Sequence, residues 1–373
     1  MIIKEIELKD FRNYESLNLK FHNRVNIFLG DNAQGKTNIL EAVYLTALGK
    51  SFRTARDAEM IRFGSEFLKV KAIAQKYDED LTVELVIADK GKGAKIDGIK
   101  IKKISELFDN IYTVIFSPED LKIVKDDPEK RRKFIDTELC LISPSYYANI
   151  SSYKRVLKQR NAFLKECRIT GKTADRNVLS VWDEQLAAAG AAMIMKRNIF
   201  IEKLKIISGE IHSGITSGRE ILNVIYEPSV AVKENFEKQK NYFKEKLEKN
   251  FAADSRSGNT GIGPHRDDMC ITVNGTDIRK FGSQGQQRTA ALSLKLAEIK
   301  LIKEETGENA VLLLDDVMSE LDASRQNFLI SSLDDIQLFI TTTDLTEDVK
   351  NALPDGYMFR VEKGQCKLYN SGI

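Results

Sequence analysis

The chain has 373 residues, 42% hydrophobic and 30% charged, enough for a large core and for more than one domain. A net charge of +2 excludes a polycation that holds nucleic acid by bulk charge, and three histidines with four scattered cysteines (none in a C-x-x-C pair) argue against a zinc site. The N-terminus MIIKEIELKD is not a signal peptide and the run LAAAGAAMIM (186–195) is too short to span a bilayer, so a cytoplasmic protein with reduced thiols and no membrane contact is expected.

Residues 1–29 read as short strands, with Leu17, Leu19 and Phe21 alternating with polar positions. RVNIFL (24–29) is a buried-strand pattern, GDNAQGKT (30–37) follows it, and TNILEAVYLTAL (37–48) is a helix pattern with Ile39, Leu40, Val43 and Ala47 on one face. Strand, glycine loop, helix is the setting in which G-x-x-x-x-G-K-[ST] holds a nucleoside triphosphate. The glycines let backbone N–H groups turn onto phosphate oxygens, Lys36 reaches the β- and γ-phosphates, and the Thr37 hydroxyl ligates Mg²⁺. The helix N-terminus adds partial positive charge. The expected nucleotide-binding set is Gly30, Asp31, Asn32, Ala33, Gln34, Gly35, Lys36, Thr37 and Asn38. GKSF (49–52) and TGKT (170–173) lack the upstream glycine and are set aside.

FLKVKAIAQK (67–76) and LTVELVIAD (81–89) flank YDED as a hairpin, and IYTVIFSPEDL (111–121) gives another strand. From Pro128 to about Asn250 strand signals are few and helical periodicity is long. Tyr146, Ile150, Tyr153, Leu157 and Leu164 form one stripe, and a second long helix runs from about Leu179 to Ile211. Strands return after Ser255 in DDMCITVNG (267–275), NAVLLLDD (309–316), IQLFIT (336–341) and YMFRVEKGQCKLY (357–369). The expected layout is an α/β domain in two halves, 1–121 and 261–373, around a mainly helical insertion, 122–260.

VLLLDD (311–316) suits a strand buried on both faces that ends in two carboxylates. Asp315 would complete the Mg²⁺ shell and Asp316 would orient or deprotonate the attacking water; the plain alternative is a strand end with two solvated acids. In FGSQGQQR (281–288), Ser283 and Gln286 fit a capping box, and two glycines beside a helix start offer a second phosphate surface. SELD (319–322) and ITTTD (340–344) lie where strand ends open onto a ligand crevice.

The order P-loop, helical insertion, GSQGQQR, LLLDDVMSELD, TTTD resembles an ABC-type ATPase head of the SMC-like class. LKDFRNYESLNLKF, FSPEDLKIVKDDPEKRRKFID, GPHRDD and FGSQGQQRTAALSLKLAE extend the likeness to the RecF family of bacterial recombination mediators, least closely over about 167–260. The resemblance implies ATP and Mg²⁺ as cofactors and a homodimer in which two nucleotides are sandwiched between heads. It also implies binding to duplex and gapped DNA, and promotion of RecA loading with RecO and RecR. It places Ser283, Gln284, Gly285 and Gln286 in a signature loop facing the partner's γ-phosphate, Asp322 on the dimer seam, and Thr343 where transporters carry a sensor histidine. Asp316 replaces the usual catalytic Glu, and FSPED (116–120) has no Gln, so a weak, DNA-stimulated ATPase working as a switch is expected, with Lys36 and Asp316 catalytic. His265 of GPHRDD is either a satisfied structural residue or part of the nucleotide-dependent interface.

Residues 122–176 hold 14 Lys or Arg against 7 Asp or Glu. Such a run is most often a solvated face, but beside the resemblance it reads as a phosphate track, with Arg131, Lys154, Arg155 and Lys158 as candidate contacts. Two further readings remain open at this point: the ATPase subunit of an ABC transporter, and a non-hydrolysing scaffold gated by nucleotide.

Overall fold

The structure, a computed structural model, describes residues 1–333, 335–344 and 347–372. It divides into two compact units, Met1–Asp120 with Leu292–Ile373, and Leu121–Ala291. The second boundary therefore falls inside helix Gln284–Thr306, not at 260/261. The reason is strand pairing, since a strand at Asp268–Val273 is hydrogen-bonded to one at Leu222–Glu227 in the insertion.

The strands in chain order are β1 (Ile2–Phe11), β2 (Tyr14–Lys20), β3 (Val25–Leu29), β4 (Phe67–Lys76), β5 (Glu79–Ala88), β6 (Gly91–Ile96), β7 (Ile99–Lys100) and β8 (Thr113–Phe116). The second unit carries β9 (Leu222–Glu227), β10 (Asp268–Val273) and β11 (Thr276–Asp277); β12 (Val311–Asp315), β13 (Leu338–Thr342), β14 (Gly356–Glu362) and β15 (Gln365–Asn370) return to the first.

The first unit holds two sheets. One is antiparallel, in the order β2-β1-β4-β5-β6-β7. Its strands alternate: along β4, Leu68, Val70, Ala72 and Ala74 are buried while Lys69 and Lys71 are not. Across the open face the register sets Glu7, Lys71, Glu84 and Lys95 side by side, so opposite charges face each other on successive strands. The other sheet, ordered β15-β14-β3-β13-β12-β8, is parallel from β14 to β8. VNIFL, LFITT, VLLLD and TVIF are buried almost throughout, as strands covered on both faces must be. Phe21, Phe28, Phe339 and Phe359 pack together here, with ring centroids 4.7 Å apart for Phe21–Phe339 and 5.1 Å for Phe28–Phe359.

The second unit is mainly helical. Helices Pro144–Thr170 and Arg176–Thr216 pack along one another, and β9 lies against the latter. Strand β9 was not expected: its partner β10 is remote in sequence, so no turn signal marks the pair.

GPHRDD is the hub of this unit. Gly263 has φ +123°, and a Cβ there would lie 2.3 Å from the Tyr153 hydroxyl, so only glycine fits. Burial pushes the His265 imidazole pKa down; its Nε2 donates to the Thr260 carbonyl (3.0 Å) and its Nδ1 accepts from the Tyr153 hydroxyl (2.8 Å). Asp267 accepts from Arg197 (3.0 Å) and the Ser229 N–H (2.8 Å) as well as the Tyr226 hydroxyl. Arg197, 1% exposed, also reaches Asp136 at 2.8 Å, the Pro264 carbonyl at 2.7 Å and the Tyr146 hydroxyl at 3.0 Å. His265 is thus a satisfied structural residue.

Arg197→Met should leave Asp136 and Asp267 without their shared cation in a water-poor site. Breaking a buried pair this way costs about 3–5 kcal/mol, whereas a surface Lys154→Ala change stays within about 0.5 kcal/mol. Urea unfolding followed by circular dichroism checks this, and equal stability of the two variants would contradict it.

Candidate nucleotide-binding site

Strand β3 delivers the chain to the P-loop from inside the parallel sheet, flanked by β13 and β14. Two glycines are required by close approach. A Cβ on Gly30 would sit 2.3 Å from the Val361 carbonyl oxygen. Gly35 has φ +116°, and a Cβ there would lie 2.6 Å from Asn13 Nδ2. Ala33 also takes a left-handed backbone, φ +63°. The loop is held from behind: Asn13 Nδ2 donates to the Gln34 carbonyl (2.9 Å), the Tyr14 hydroxyl to the Gly35 carbonyl (3.1 Å), and the Lys363 N–H to Gln34 Oε1 (2.7 Å). Asn38 joins this set, donating to Asn13 Oδ1 at 2.7 Å and accepting from Arg53 at 2.8 Å. Asp31, Asn32 and Ala33 are exposed at the loop's rim. Gly35, as N-cap of helix Lys36–Leu48, offers no side chain to the leading N–H groups, which with the helix dipole make an anion site.

Lys36 is buried, and its ammonium donates to the carbonyls of Gly30 (2.6 Å) and Asp31 (3.1 Å), folded over the loop. The Thr37 hydroxyl donates to Asp315 Oδ1 at 2.7 Å, and the Thr341 hydroxyl of β13 donates to the same oxygen at 2.9 Å. Strand order explains the meeting: β13 lies between β3 and β12, and all three run in the same direction. Thr37 and Asp315 together supply hard oxygen donors, and Mg²⁺ takes one or two such protein ligands and fills the rest of its shell with water and phosphate, so this pair fits it. When bound, the ion would neutralise charge building on the phosphates. Asp316 follows with φ +53°, its N–H donating to Thr341 Oγ1 at 3.0 Å. Burial pushes its carboxyl pKa up, against the pull of Lys36 and with the added push of Asp315. A raised pKa makes a stronger base.

Thr343 is exposed, just beyond the end of β13. Asp322 is exposed too; here it caps helix Ala323–Ser331, accepting the Arg325 N–H at 2.9 Å. In FSPED, Asp120 closes the loop by accepting the Ser117 N–H at 2.6 Å.

In the second unit, Ser283 and Gln284 are exposed and Gly285 and Gln286 half-buried. The capping box is formed: the Gln286 N–H donates to Ser283 Oγ (3.2 Å) and the Ser283 N–H to Gln286 Oε1 (3.0 Å). Because the Ser283 oxygen accepts within the box, its own hydrogen is left to donate outward.

The basic track needs correction. Lys154, Arg155 and Lys158 are exposed on helix Pro144–Thr170. Arg131 is not a surface cation: it is 1% exposed and gripped by both oxygens of Asp268, at 2.6 and 3.0 Å. Arg160 is likewise buried, on Asp183 and Asp254 at 2.7 Å each. A run of like charge in sequence does not separate cations that face solvent from those that neutralise buried carboxylates.

Two features were missed. Glu41, fully buried on the P-loop helix, accepts from Arg12 at 2.6 and 2.8 Å and lies 3.5 Å from Arg53, so two guanidinium groups stand beside the loop. Residues 90–103 carry six lysines against one Asp, and Lys95, Lys100, Lys102 and Lys103 are exposed; charge counting over that window would have found them.

The family profile "RecF/RecN/SMC N terminal domain" matches residues 2–364. The "DNA replication and repair protein RecF" of Alkaliphilus oremlandii is 48% identical over 369 residues, 98% of this chain and 100% of that protein. That of Bacillus velezensis is 43% identical over 367 residues, 98% and 99% of the two chains. Among solved structures, the recombination mediator protein RecF–ATP of the RecFOR pathway superposes with a TM-score of 0.91 at 38% identity, over 99% of this chain and 98% of that one. An Smc head domain from Pyrococcus furiosus, 17% identical with a TM-score of 0.56 over 98% and 95% of the two chains, shares the fold alone. The fold is the SMC-like ABC ATPase head with an inserted helical arm, and the chain belongs to the RecF family of DNA replication and repair proteins.

Proposed function

We propose that this chain is an ATP-gated DNA-binding protein of recombinational repair and replication restart. Two copies close around two ATP molecules on duplex or gapped DNA, and with RecR and RecO they promote RecA loading. The observation that carries the reading is the meeting of Thr37 with Asp315 at 2.7 Å behind Lys36, a place for the metal and phosphates of a triphosphate. The likeness to a RecF–ATP structure at 38% identity supports ATP as the nucleotide. Full-length likeness to DNA replication and repair proteins disfavours the transporter reading.

In this reading the P-loop N–H groups and Lys36 bind the phosphates, Thr37 and Asp315 hold Mg²⁺, and Asp316 takes a proton from the attacking water. Ser283 of the partner copy donates to the γ-phosphate, with Gly285 giving its backbone room to approach. Asp322 and Thr343 border the seam, the latter as sensor. An Asp in place of Glu is one methylene shorter, which favours slow, DNA-stimulated turnover and a switch rather than a motor. A scaffold that never hydrolyses ATP is the competing reading, and phosphate release with and without DNA separates the two.

Ser283→Arg fills the space that the γ-phosphate must enter and removes a cap worth about 1 kcal/mol, too little to unfold the chain. ATP affinity should persist while ATP-dependent dimerisation and hydrolysis fail together; Lys36→Met should lose ATP itself. Normal dimerisation of Ser283→Arg in sedimentation would exclude the sandwich. Asp316→Asn should lower hydrolysis by about 10²–10⁴-fold with ATP binding intact and a longer-lived dimer. Unchanged phosphate release would remove Asp316 from the chemistry.

Charge reversal of Lys154, Arg155 and Lys158 together should weaken DNA binding and flatten the log–log salt dependence by about 0.9 for each phosphate no longer neutralised. Titrations at several salt concentrations measure the slope. An unchanged slope would move the DNA track elsewhere, with the exposed lysines of 90–103 the next surface to test.

A further inference from the structure

The signature loop is tied to a residue far from it in sequence. The long helix Arg176–Thr216 ends at Ser217 (φ +53°) and Gly218 (φ +73°), and Glu220 stands in the connection to β9. Glu220 Oε1 accepts from Gln286 Nε2 at 3.0 Å, and Glu220 Oε2 accepts from His212 Nε2 at 3.2 Å. His212 is fully buried in the last turns of the helix, so its ring is a fixed support. The connection is pinned again one residue on. The Ile221 N–H donates to Asn274 Oδ1 and the Asn274 N–H to the Ile221 carbonyl, each at 2.9 Å. Gln286 is the same residue whose Oε1 accepts from Ser283 N–H and whose N–H donates to Ser283 Oγ.

The chemistry of these groups sets an order. A carboxylate only accepts, so Glu220 selects the NH₂ end of the Gln286 amide and turns the carbonyl end toward Ser283. That carbonyl holds the Ser283 backbone, and the Gln286 N–H occupies a lone pair of the Ser283 hydroxyl. The hydroxyl hydrogen, not used within the box, is left to donate to an anion. With Glu220 removed, only the Ser283 N–H is left to select the carbonyl end, and the amide loses the anchor on its NH₂ end.

We propose that Glu220 is a positioning residue for the signature loop: fixed by His212, it orients Gln286 so that Ser283 presents its hydroxyl hydrogen to the γ-phosphate bound on a second copy of the chain. This rests on the ATP-sandwich reading above. Glu220 acts through Gln286 of the signature loop, so in this reading its loss acts on dimer closure and not on nucleotide capture by the P-loop.

The test compares Glu220→Leu, Glu220→Gln, Gln286→Leu and the Glu220→Leu/Gln286→Leu double variant in the full chain. The readouts are ATP-dependent association by sedimentation, ATP affinity below the association range, and thermal midpoint. A hydrogen bond to a charged group makes a difference of roughly tenfold or more. Glu220→Leu should weaken association by about that factor with ATP affinity unchanged. Glu220→Gln keeps an acceptor for Gln286 and should restore most of the association. The double variant should be no weaker than the worse single one, as expected for residues acting through one contact. Association of Glu220→Leu equal to that of the parent, equal impairment of the Leu and Gln variants, or additive losses would each overturn the proposal. If Glu220→Leu does not fold, Glu220→Gln against Gln286→Leu gives the same decision: the first near parental and the second impaired supports it, and any other order overturns it. A parent chain that does not associate with ATP, or a Ser283→Arg chain that does, sinks the sandwich reading itself and this inference with it.

Discussion

A hydroxyl–carboxylate hydrogen bond, Thr37 Oγ1 to Asp315 Oδ1 at 2.7 Å, joins two parts of the chain 278 residues apart. It forms because β3 and β12 run in the same direction, one strand apart, and end at the same level, with Thr341 of the intervening β13 donating to the same oxygen. Parallel strands buried on both faces leave little freedom in where their ends fall. The P-loop glycines then work at a fixed distance from that oxygen: Gly30 passes under the Val361 carbonyl and Gly35 passes Asn13, positions no side chain could take. The sheet therefore sets the geometry in which the loop and Asp315 would meet phosphate and metal.

The second unit solves a different problem with the same residue type. Arg131, Arg160 and Arg197 are almost fully buried, each on one or two carboxylates. Such pairs add little over a well-packed apolar core, but removing one partner is costly. Arg197 and Arg131 fix GPHRDD in place through Asp267 and Asp268, while Lys154, Arg155 and Lys158 on an outer helix face remain for other charges. Guanidinium groups suit the inner role because they donate in a planar fork to two carboxylate oxygens, as Arg131 does to Asp268.

Much of this was legible in the sequence where local patterns carry the information. GDNAQGKT between an apolar strand and a helix, VLLLDD as a doubly buried strand, and the Ser283–Gln286 capping box are all local, and each appears at its place. What was not legible depends on partners distant along the chain. Strand β9 is defined by pairing with β10 more than forty residues away. Arg131 looks like its basic neighbours until Asp268 is found against it, and the purpose of GPHRDD is visible only once Arg197, Tyr153 and Ser229 are seen to converge on it. Glu41 sits in an apolar helix face, and its pairing with Arg12, 29 residues earlier in the chain, is encoded by no spacing rule.

The account turns on nucleotide controlling whether two heads close. Sedimentation equilibrium of the unmodified chain with ATP, with ADP and without nucleotide tests this most directly. A dimer in ATP and a monomer in the other two conditions is the predicted result; the same mass in all three would contradict it.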